Sequence, residues 1–286
     1  FGMMFGDIGD GLIFVILGFS LTRLKRGILT FSQRSIRKLG WILMACGVST
    51  VFFGFLYGEL FVIEVVQPIL LSPLKDVTSI IVIALAFGVL QITLAMVLNI
   101  VNKIRRKQFV KSILYGHGLV GLTYYLAGVT AAVGFARELS LSVFLRQDVV
   151  VFTSVALVSL ILIFLSPTIE AMLQKKRAKF SEKLIEGFGE MLETFVTSLS
   201  NSVSYIRLAA FAIAHGALGL AAAIFASTTG NVPSYIIINI LVFLVDGFAV
   251  LIQSLRLMYY EFSTKFYVGN GIQYKPFKTA DHKTNI

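Results

Sequence analysis

The sequence predicts an all-α, polytopic membrane protein with about seven transmembrane helices. Of its 286 residues, 57% are hydrophobic and only 14% are charged, and the mean hydropathy is +0.85. Soluble domains contain about 45–50% apolar residues. A chain this apolar is expected to lie in lipid, where unpaired backbone groups find no partners and helices are the favoured spanning structure.

Seven apolar segments are long enough to form spanning helices, since crossing a hydrocarbon core of ~30 Å takes about 20 residues. They cover residues 1–22, 39–64, 77–102, 111–134, 148–173, 190–228 and 233–267. The last two are long enough to tilt strongly or to protrude from the bilayer. Because the chain begins inside an apolar run, we expect one further helix before it, which makes eight crossings.

Basic residues are concentrated in alternate loops. Most of the 25 Lys and Arg residues lie in loops 22–38, 103–111 and 174–183 and in the tail. The positive-inside rule places these parts, the tail included, in the cytoplasm. The net charge of +10 therefore reflects how the chain is oriented in the membrane, and it indicates contact with anionic lipid headgroups. The sequence has no basic run interleaved with stacking aromatic residues, the pattern that would indicate binding to nucleic acid.

We divide the chain into four parts on this pattern. Residues 1–173 form peripheral transmembrane helices, and residues 174–190 form a cytoplasmic surface helix or linker. Residues 191–268 form the two long, tilted helices, and residues 269–286 form the cytoplasmic tail.

Two arginines lie inside the last two apolar segments, Arg207 in the sixth and Arg256 in the seventh. Arginine stays protonated in proteins, and a cation at membrane depth costs several kcal/mol at least. Each arginine therefore needs an acidic partner, a wet cavity or a functional reason. We interpret the pair as the mark of an ion pathway.

Polar residues accompany each arginine at helical spacing, which keeps them on one face. The face of the sixth segment carries Glu193, Thr197, Ser200, Ser204, Arg207, Phe211 and His215, and that of the seventh carries Asp246, Gln253, Arg256 and Tyr260. The alternative is that these polar stripes hold helices together. Buried Arg, Glu, Asp and His in one set favour the pathway.

Four motifs of the sequence resemble motifs of a known protein family. They read FGMMFGDIGDG from Phe1, FFGFLYGELF from Phe52, SNSVSYIRLAAFAIAHGALG from Ser200 and LIQSLRLMYYEFSTKFYVGNGIQYKPF from Leu251. All are similar to motifs of subunit a, called subunit I in archaea and bacteria, of the V/A-type rotary ATPases. The compact loops favour an archaeal or bacterial cell membrane.

The resemblance implies roles for individual residues. Arg207 matches the essential arginine that faces the rotor carboxylate, and Arg256 matches the second arginine. Glu193 and His215 match polar positions of the first long helix. Asp246 is a further ion-translocation candidate and stands where eukaryotic members usually have glutamate. Gln253 is another and stands where some members have histidine. The polar-face residues Ser200 and Ser204 complete the set.

The resemblance also implies partners and a mechanism. The two long helices face a ring of proteolipid c subunits and form two ion half-channels for H⁺ or Na⁺, which couple transport to ATP hydrolysis or synthesis. Peripheral and central stalk subunits and a soluble N-terminal stator domain, absent from this chain, complete the assembly. The chain itself is expected to be non-catalytic and without cofactors, because it has no P-loop, zinc spacing or nucleophile elbow.

Other interpretations remain open. The chain could be a secondary transporter whose midplane anion site is clamped by Arg207, or a structural scaffold. His215 fits a proton relay or a structural hydrogen bond equally well. Asp7 and Asp10 are expected to cap a bent helix rather than to bind a cation. Glu59 and Glu64 are candidates for an outer vestibule.

Overall fold

The computed structural model describes residues 1–24, 32–61, 63–64, 68–69, 71–138, 147–173, 180–229, 232–267 and 269. Within these ranges the chain is almost entirely helical, which confirms the predicted class. The α-helices are α1 Gly2–Phe5, α2 Ile8–Arg23, α3 Gln33–Tyr57, α4 Val77–Arg105, α5 Phe109–Leu114, α6 Leu119–Glu138, α7 Gln147–Leu173, α8 Phe180–Ser204, α9 Ile206–Thr229 and α10 Val232–Arg256.

Four shorter elements complete the described secondary structure. After α10 the chain continues as a π-helical turn, Leu257–Phe262, and a 3₁₀ turn, Ser263–Lys265. Between α3 and α4, β1 (Glu59–Leu60) pairs antiparallel with β2 (Ile63–Glu64).

Six described stretches are long and apolar enough to cross a membrane. They are Gln33–Tyr57, Val77–Arg105, Phe109–Ala136, Val149–Leu173, Phe180–Phe225 and Ile236–Lys265. The predicted first segment, 1–22, is instead broken: Gly6 ends α1 with a φ of 20°, and the Asp7 carboxylate caps α2 by accepting the Asp10 N–H. As α2 has 16 residues, it is roughly 24 Å long, less than a hydrocarbon core.

Glycines bring α2 and α3 into backbone contact. A Cβ on Gly18 would lie 2.6 Å from the Met44 nitrogen, and a Cβ on Gly47 would lie 2.7 Å from the Gly11 oxygen. A Cβ on Gly54 would lie 2.5 Å from the Ile8 nitrogen. Small residues permit such close approach between helices in lipid. The α2–α3 pair is therefore a tight hairpin, and it holds the start of α2 against the end of α3.

Helix α4 lies at the centre of the bundle and contacts α5, α6, α8 and α9. Its Gly88 leaves room for the fully buried Tyr205 ring, whose Cγ would lie 2.4 Å from an added Cβ. Helices α6, α7 and α8 pack in sequence order on one side, and α1 reaches α9 and α10 on the other. The outward faces carry many exposed large apolar residues, as expected for a surface in lipid.

The sixth and seventh predicted segments both depart from a plain α-helix. The sixth begins earlier than predicted, because α8 starts at Phe180, and it is interrupted at Tyr205, between α8 and α9. The seventh changes to π-helical geometry directly after Arg256. Both irregularities lie within two residues of the intramembrane arginines. Residues 174–179 and almost all of the tail 269–286 lie outside the described residues.

Candidate functional site

Arg207 lies two residues after Tyr205, the residue that interrupts the helix between α8 and α9. Around Tyr205 the backbone bonds tighten to a spacing of three residues: the Tyr205 N–H donates to the Ser202 oxygen at 3.3 Å, and the Leu208 N–H donates to the Tyr205 oxygen at 3.0 Å. The buried Tyr205 ring anchors this turn against α4. The break therefore fixes where the Arg207 side chain leaves the helix.

Glu261 is the carboxylate that faces Arg207. The Arg207 Nη1 atom lies 3.7 Å from Glu261 Oε1. Arg207 keeps 19% of its side chain exposed, whereas Glu261 is buried. Neither Arg207 Nη1 nor Glu261 Oε2 has a hydrogen-bond partner. The two side chains thus form a long ion pair with unused hydrogen-bonding capacity on both sides.

His215 and Asp246 form a close polar contact between α9 and α10. His215 Nδ1 lies 2.7 Å from Asp246 Oδ2, and both side chains are buried. The Phe5 ring packs on the imidazole, with the ring centroids 4.6 Å apart. Both residues were predicted from the sequence as site residues, and the structure brings them together.

Acidic residues from other elements surround this pair. Among the described residues, the charged groups within electrostatic reach of His215 include Asp246, Glu59, Asp7 and Asp10, all of them acidic. Asp7 and Asp10 come from the turn before α2 and from its first turn, and Glu59 comes from β1. Asp7 does cap the bent helix, since its Oδ1 atom accepts the N–H groups of Asp10 and Phe61.

A second polar group lies beside the first half of α8. Glu190 Oε1 accepts the Gly116 N–H at 3.3 Å, and Lys265 Nζ lies 3.1 Å from His117 Nε2. The Asn99 amide donates to the His117 oxygen at 2.8 Å. Glu193 lies within electrostatic reach of Lys265. Measured along the helix axis, Glu193 lies about 21 Å before Arg207, and His215 lies about 12 Å after it.

The remaining predicted residues lie on the outer surface of the bundle. Glu193, Ser200 and Arg256 are exposed, and Ser204 and Gln253 are half-buried. Arg256 has no ion-pair partner within the part of the chain that the structure describes. Exposed apolar residues surround these side chains along α8 and α10.

Sequence reasoning missed Glu261 as a site residue and placed Tyr260 on the polar face instead. In the structure Tyr260 is exposed and Glu261 is buried against Arg207. An acidic residue five positions after an intramembrane arginine is a signal that could have found it. Gly54 lies at the close contact between α3 and α2, and Gly58 ends α3 in a left-handed conformation with a φ of 76°. The Glu64 side chain lies outside the described part.

These features define a multi-pass, all-α membrane protein that carries ionisable side chains inside its helix bundle. The sequence pattern of the V-type ATPase 116 kDa subunit family matches residues 166–279. The chain is 26% identical to the A-type ATP synthase subunit I of Halobacterium salinarum, over 97% of this chain and 45% of that protein. It is 28% identical to the V-type ATP synthase subunit I of Borreliella burgdorferi, over 97% of this chain and 47% of that protein.

A eukaryotic protein matches the chain over a shorter region. The V-type proton ATPase subunit a3 of Arabidopsis thaliana is 31% identical over 35% of this chain and 14% of its own length. The resemblance that the sequence motifs indicated is therefore confirmed: the chain is related along its length to subunit I of the A-type and V-type ATP synthases. It spans about half the length of the two relatives that it matches throughout.

Proposed function

We propose that this chain is the membrane half of the stator subunit of a V/A-type rotary ATPase and forms the ion path beside a rotating ring of c subunits. The observation that carries the proposal is the placement of Arg207 and Arg256. Arg256 is exposed and Arg207 partly exposed on an otherwise apolar surface. A permanent cation facing lipid is costly, so this surface needs water or an acidic partner. A ring with one mid-membrane carboxylate per subunit supplies that partner.

The two polar groups support separate half-channels on either side of Arg207. The group around Glu190, Glu193 and Lys265 lies toward the start of α8, and the pair His215–Asp246 lies beyond Arg207 on α9 and α10. Each gives an ion a polar route through part of the bilayer. The fixed charge of Arg207 lies between them and opposes direct passage of a cation.

Transport follows from the electrostatics of a rotor carboxylate. In lipid the carboxylate stays neutral, with H⁺ or Na⁺ bound. Opposite Arg207 the cation stabilises the ionised form, and the ion leaves into one half-channel. Once past the arginine, the carboxylate is refilled from the other half-channel. Glu261, already close to Arg207, limits how strongly the arginine holds the rotor carboxylate.

ATP chemistry in this proposal belongs to partner subunits. This chain contributes a non-catalytic, ion-conducting surface that the peripheral stalk holds still while the central stalk turns with the ring. The basic loops and the tail lie in the cytoplasm, and the membrane is an archaeal or bacterial cell membrane. The last two helices tilt strongly along the ring.

Site-directed crosslinking in the complete assembly tests the proposal. A cysteine at the exposed Ser200, in a background with Cys46 replaced, is expected to crosslink to a cysteine beside the rotor carboxylate. The matched control is a cysteine at Phe52, which is exposed on α3. Equal crosslinking at both positions, or crosslinking at Phe52 alone, contradicts the assignment of α8–α10 as the rotor-facing surface.

A further inference from the structure

Asp7, Asp10 and His215 form a compact cluster of buried metal-ligand types. One ligand atom from each side chain can be chosen so that all three lie within 4.8 Å of one another. Asp7 and Asp10 come from the start of α2 and His215 from the middle of α9. The cluster therefore joins the glycine-packed hairpin to one of the two long helices.

Two polar atoms of this cluster lack partners although their side chains are almost completely buried. Asp10 is 3% exposed and His215 is 1% exposed. Asp10 Oδ2 and His215 Nε2 make no hydrogen bond. A buried polar atom without a partner destabilises the folded state, and more so when it is charged. The cluster thus has unused ligand capacity for which the folded chain itself gives no reason.

The charges around the cluster favour a cation. Asp10 lies within electrostatic reach of Asp7, Asp246 and His215. Glu59 adds a further buried acid near His215. Several carboxylates lie beside one imidazole in this buried region, and carboxylate oxygens and imidazole nitrogens are groups that bind divalent cations.

The orientation of His215 matches that of a metal ligand. A ligating histidine typically donates its second ring N–H to a carboxylate, which sets its tautomer and raises its basicity. Asp246 Oδ2 occupies this position at Nδ1, 2.7 Å away, and leaves Nε2 for a metal. Asp7 is oriented in a similar way, because its Oδ1 atom accepts two backbone N–H groups.

We propose that Asp7, Asp10 and His215 bind one divalent transition-metal ion of the Zn²⁺ class, with Asp246 as the outer carboxylate that orients the histidine. Zinc accepts both imidazole nitrogen and carboxylate oxygen as ligands, and sites with three protein ligands take a water molecule as the fourth. The ion ties α2 to α9 through His215, which is also one member of the polar pair His215–Asp246. The proposal does not depend on ion transport by the chain.

Metal binding by the purified full-length protein in its membrane assembly tests the site directly. Protein from cells grown with added Zn²⁺ is analysed for metal content, and Co²⁺ is titrated into chelator-treated protein while its visible absorption is followed. Asp10→Asn removes one ligand oxygen at nearly constant volume. The matched control is Glu170→Gln, a change of a carboxylate that contacts Tyr115 and Lys111 far from the cluster.

We expect the wild type and Glu170→Gln to bind one ion per copy that Asp10→Asn does not retain. The affinity for Co²⁺ is expected to fall by at least about tenfold in Asp10→Asn, a loss that even outer-shell changes produce. If Asp10→Asn does not assemble, His215→Asn is measured with the same expectation. Wild-type protein that takes up no Zn²⁺ or Co²⁺ overturns the proposal, and so does a variant that keeps the ion at unchanged affinity.

Discussion

The guanidinium of Arg207 and the carboxylate of Glu261 meet across the two long helices, with Nη1 and Oε1 3.7 Å apart. The distance is that of an ion pair without a direct hydrogen bond. Arg207 thus stays partly neutralised and keeps donors for another acceptor. An arginine locked by a close bidentate contact would have fewer donors to offer a passing carboxylate.

Replacing Arg207 tests the proposed ion path most directly. We expect Arg207→Ala to reduce ATP-driven ion uptake into reconstituted vesicles by roughly 100-fold or more, since loss of one partner of a buried charge contact costs about 3–5 kcal/mol. Arg207→Lys should also fail, because an ammonium does not reproduce the guanidinium fork. Assembly should persist. Arg34→Ala, on an exposed turn of α3, is the control and should pump normally.

Glu261 is expected to set how readily Arg207 releases a rotor carboxylate. In Glu261→Gln the arginine loses its neighbouring negative charge and holds the rotor carboxylate more tightly, so ion uptake should fall by about tenfold while the yield of assembled complex is unchanged. Glu186→Gln, which alters an exposed acid paired with Lys183, is the matched control. Pumping of Glu261→Gln at the rate of the control would rule out this role.

The pair His215–Asp246 should behave as one unit. His215→Ala and Asp246→Ala each leave a buried group unpaired, so each should lower the thermal stability of the purified complex and slow ion uptake. The double variant should be hardly worse than either single variant, because the contact is already lost. Additive losses in midpoint temperature would show that the two residues act independently.

A side chain at Gly18 should separate α2 from α3. The Cβ of Gly18→Ala would meet backbone atoms at 2.6 and 2.7 Å, which neither helix can relieve by rotating a side chain. We expect a loss of about 1–3 kcal/mol, the usual cost of overpacking, measured as a lower unfolding midpoint. Gly128→Ala is the control, because nothing lies within 4 Å of its added Cβ. Equal stability of the two variants would show that the contact is not tight.

The orientation of the loops can be read by cysteine labelling in intact cells. With Cys46 replaced, cysteines at the exposed Ser32 and Gln108 should resist an impermeant thiol reagent, since both lie in basic loops. A cysteine at Asp76, exposed before α4, should react. Ser72, in the same loop, is buried and unsuited to this test. Labelling of Ser32 from outside would refute the predicted orientation.

Composition and helical spacing predicted the fold class and six of the long helices, because hydropathy reports directly on lipid-facing surface. They also identified both members of the pair His215–Asp246. They did not predict that segment 1–22 breaks at Gly6 and Asp7, since the break depends on a cap and on contacts with residues about fifty positions away. Apolar content alone does not record such contacts.

Glu261 was missed because periodicity assumes an unbroken α-helix. Four turns of 3.6 residues from Asp246 span about 14 residues and lead to Tyr260. The π-helical turn after Arg256 takes up an extra residue, so that Glu261 reaches the buried side instead. Clusters assembled from distant segments, such as Asp7, Asp10 and His215, likewise required the tertiary structure.

The interruption at Tyr205 has a mechanical consequence for a stator. Each step of a rotor pushes sideways on the helix that faces it, and the force is greatest where the charges meet. At Tyr205 the regular four-residue backbone bonding lapses, and the buried Tyr205 ring packed on Gly88 of α4 holds the chain in place there. In the proposed motor, Arg207 therefore lies beside a point at which its helix is held by α4, and the sideways load passes through the Tyr205 ring into the centre of the bundle.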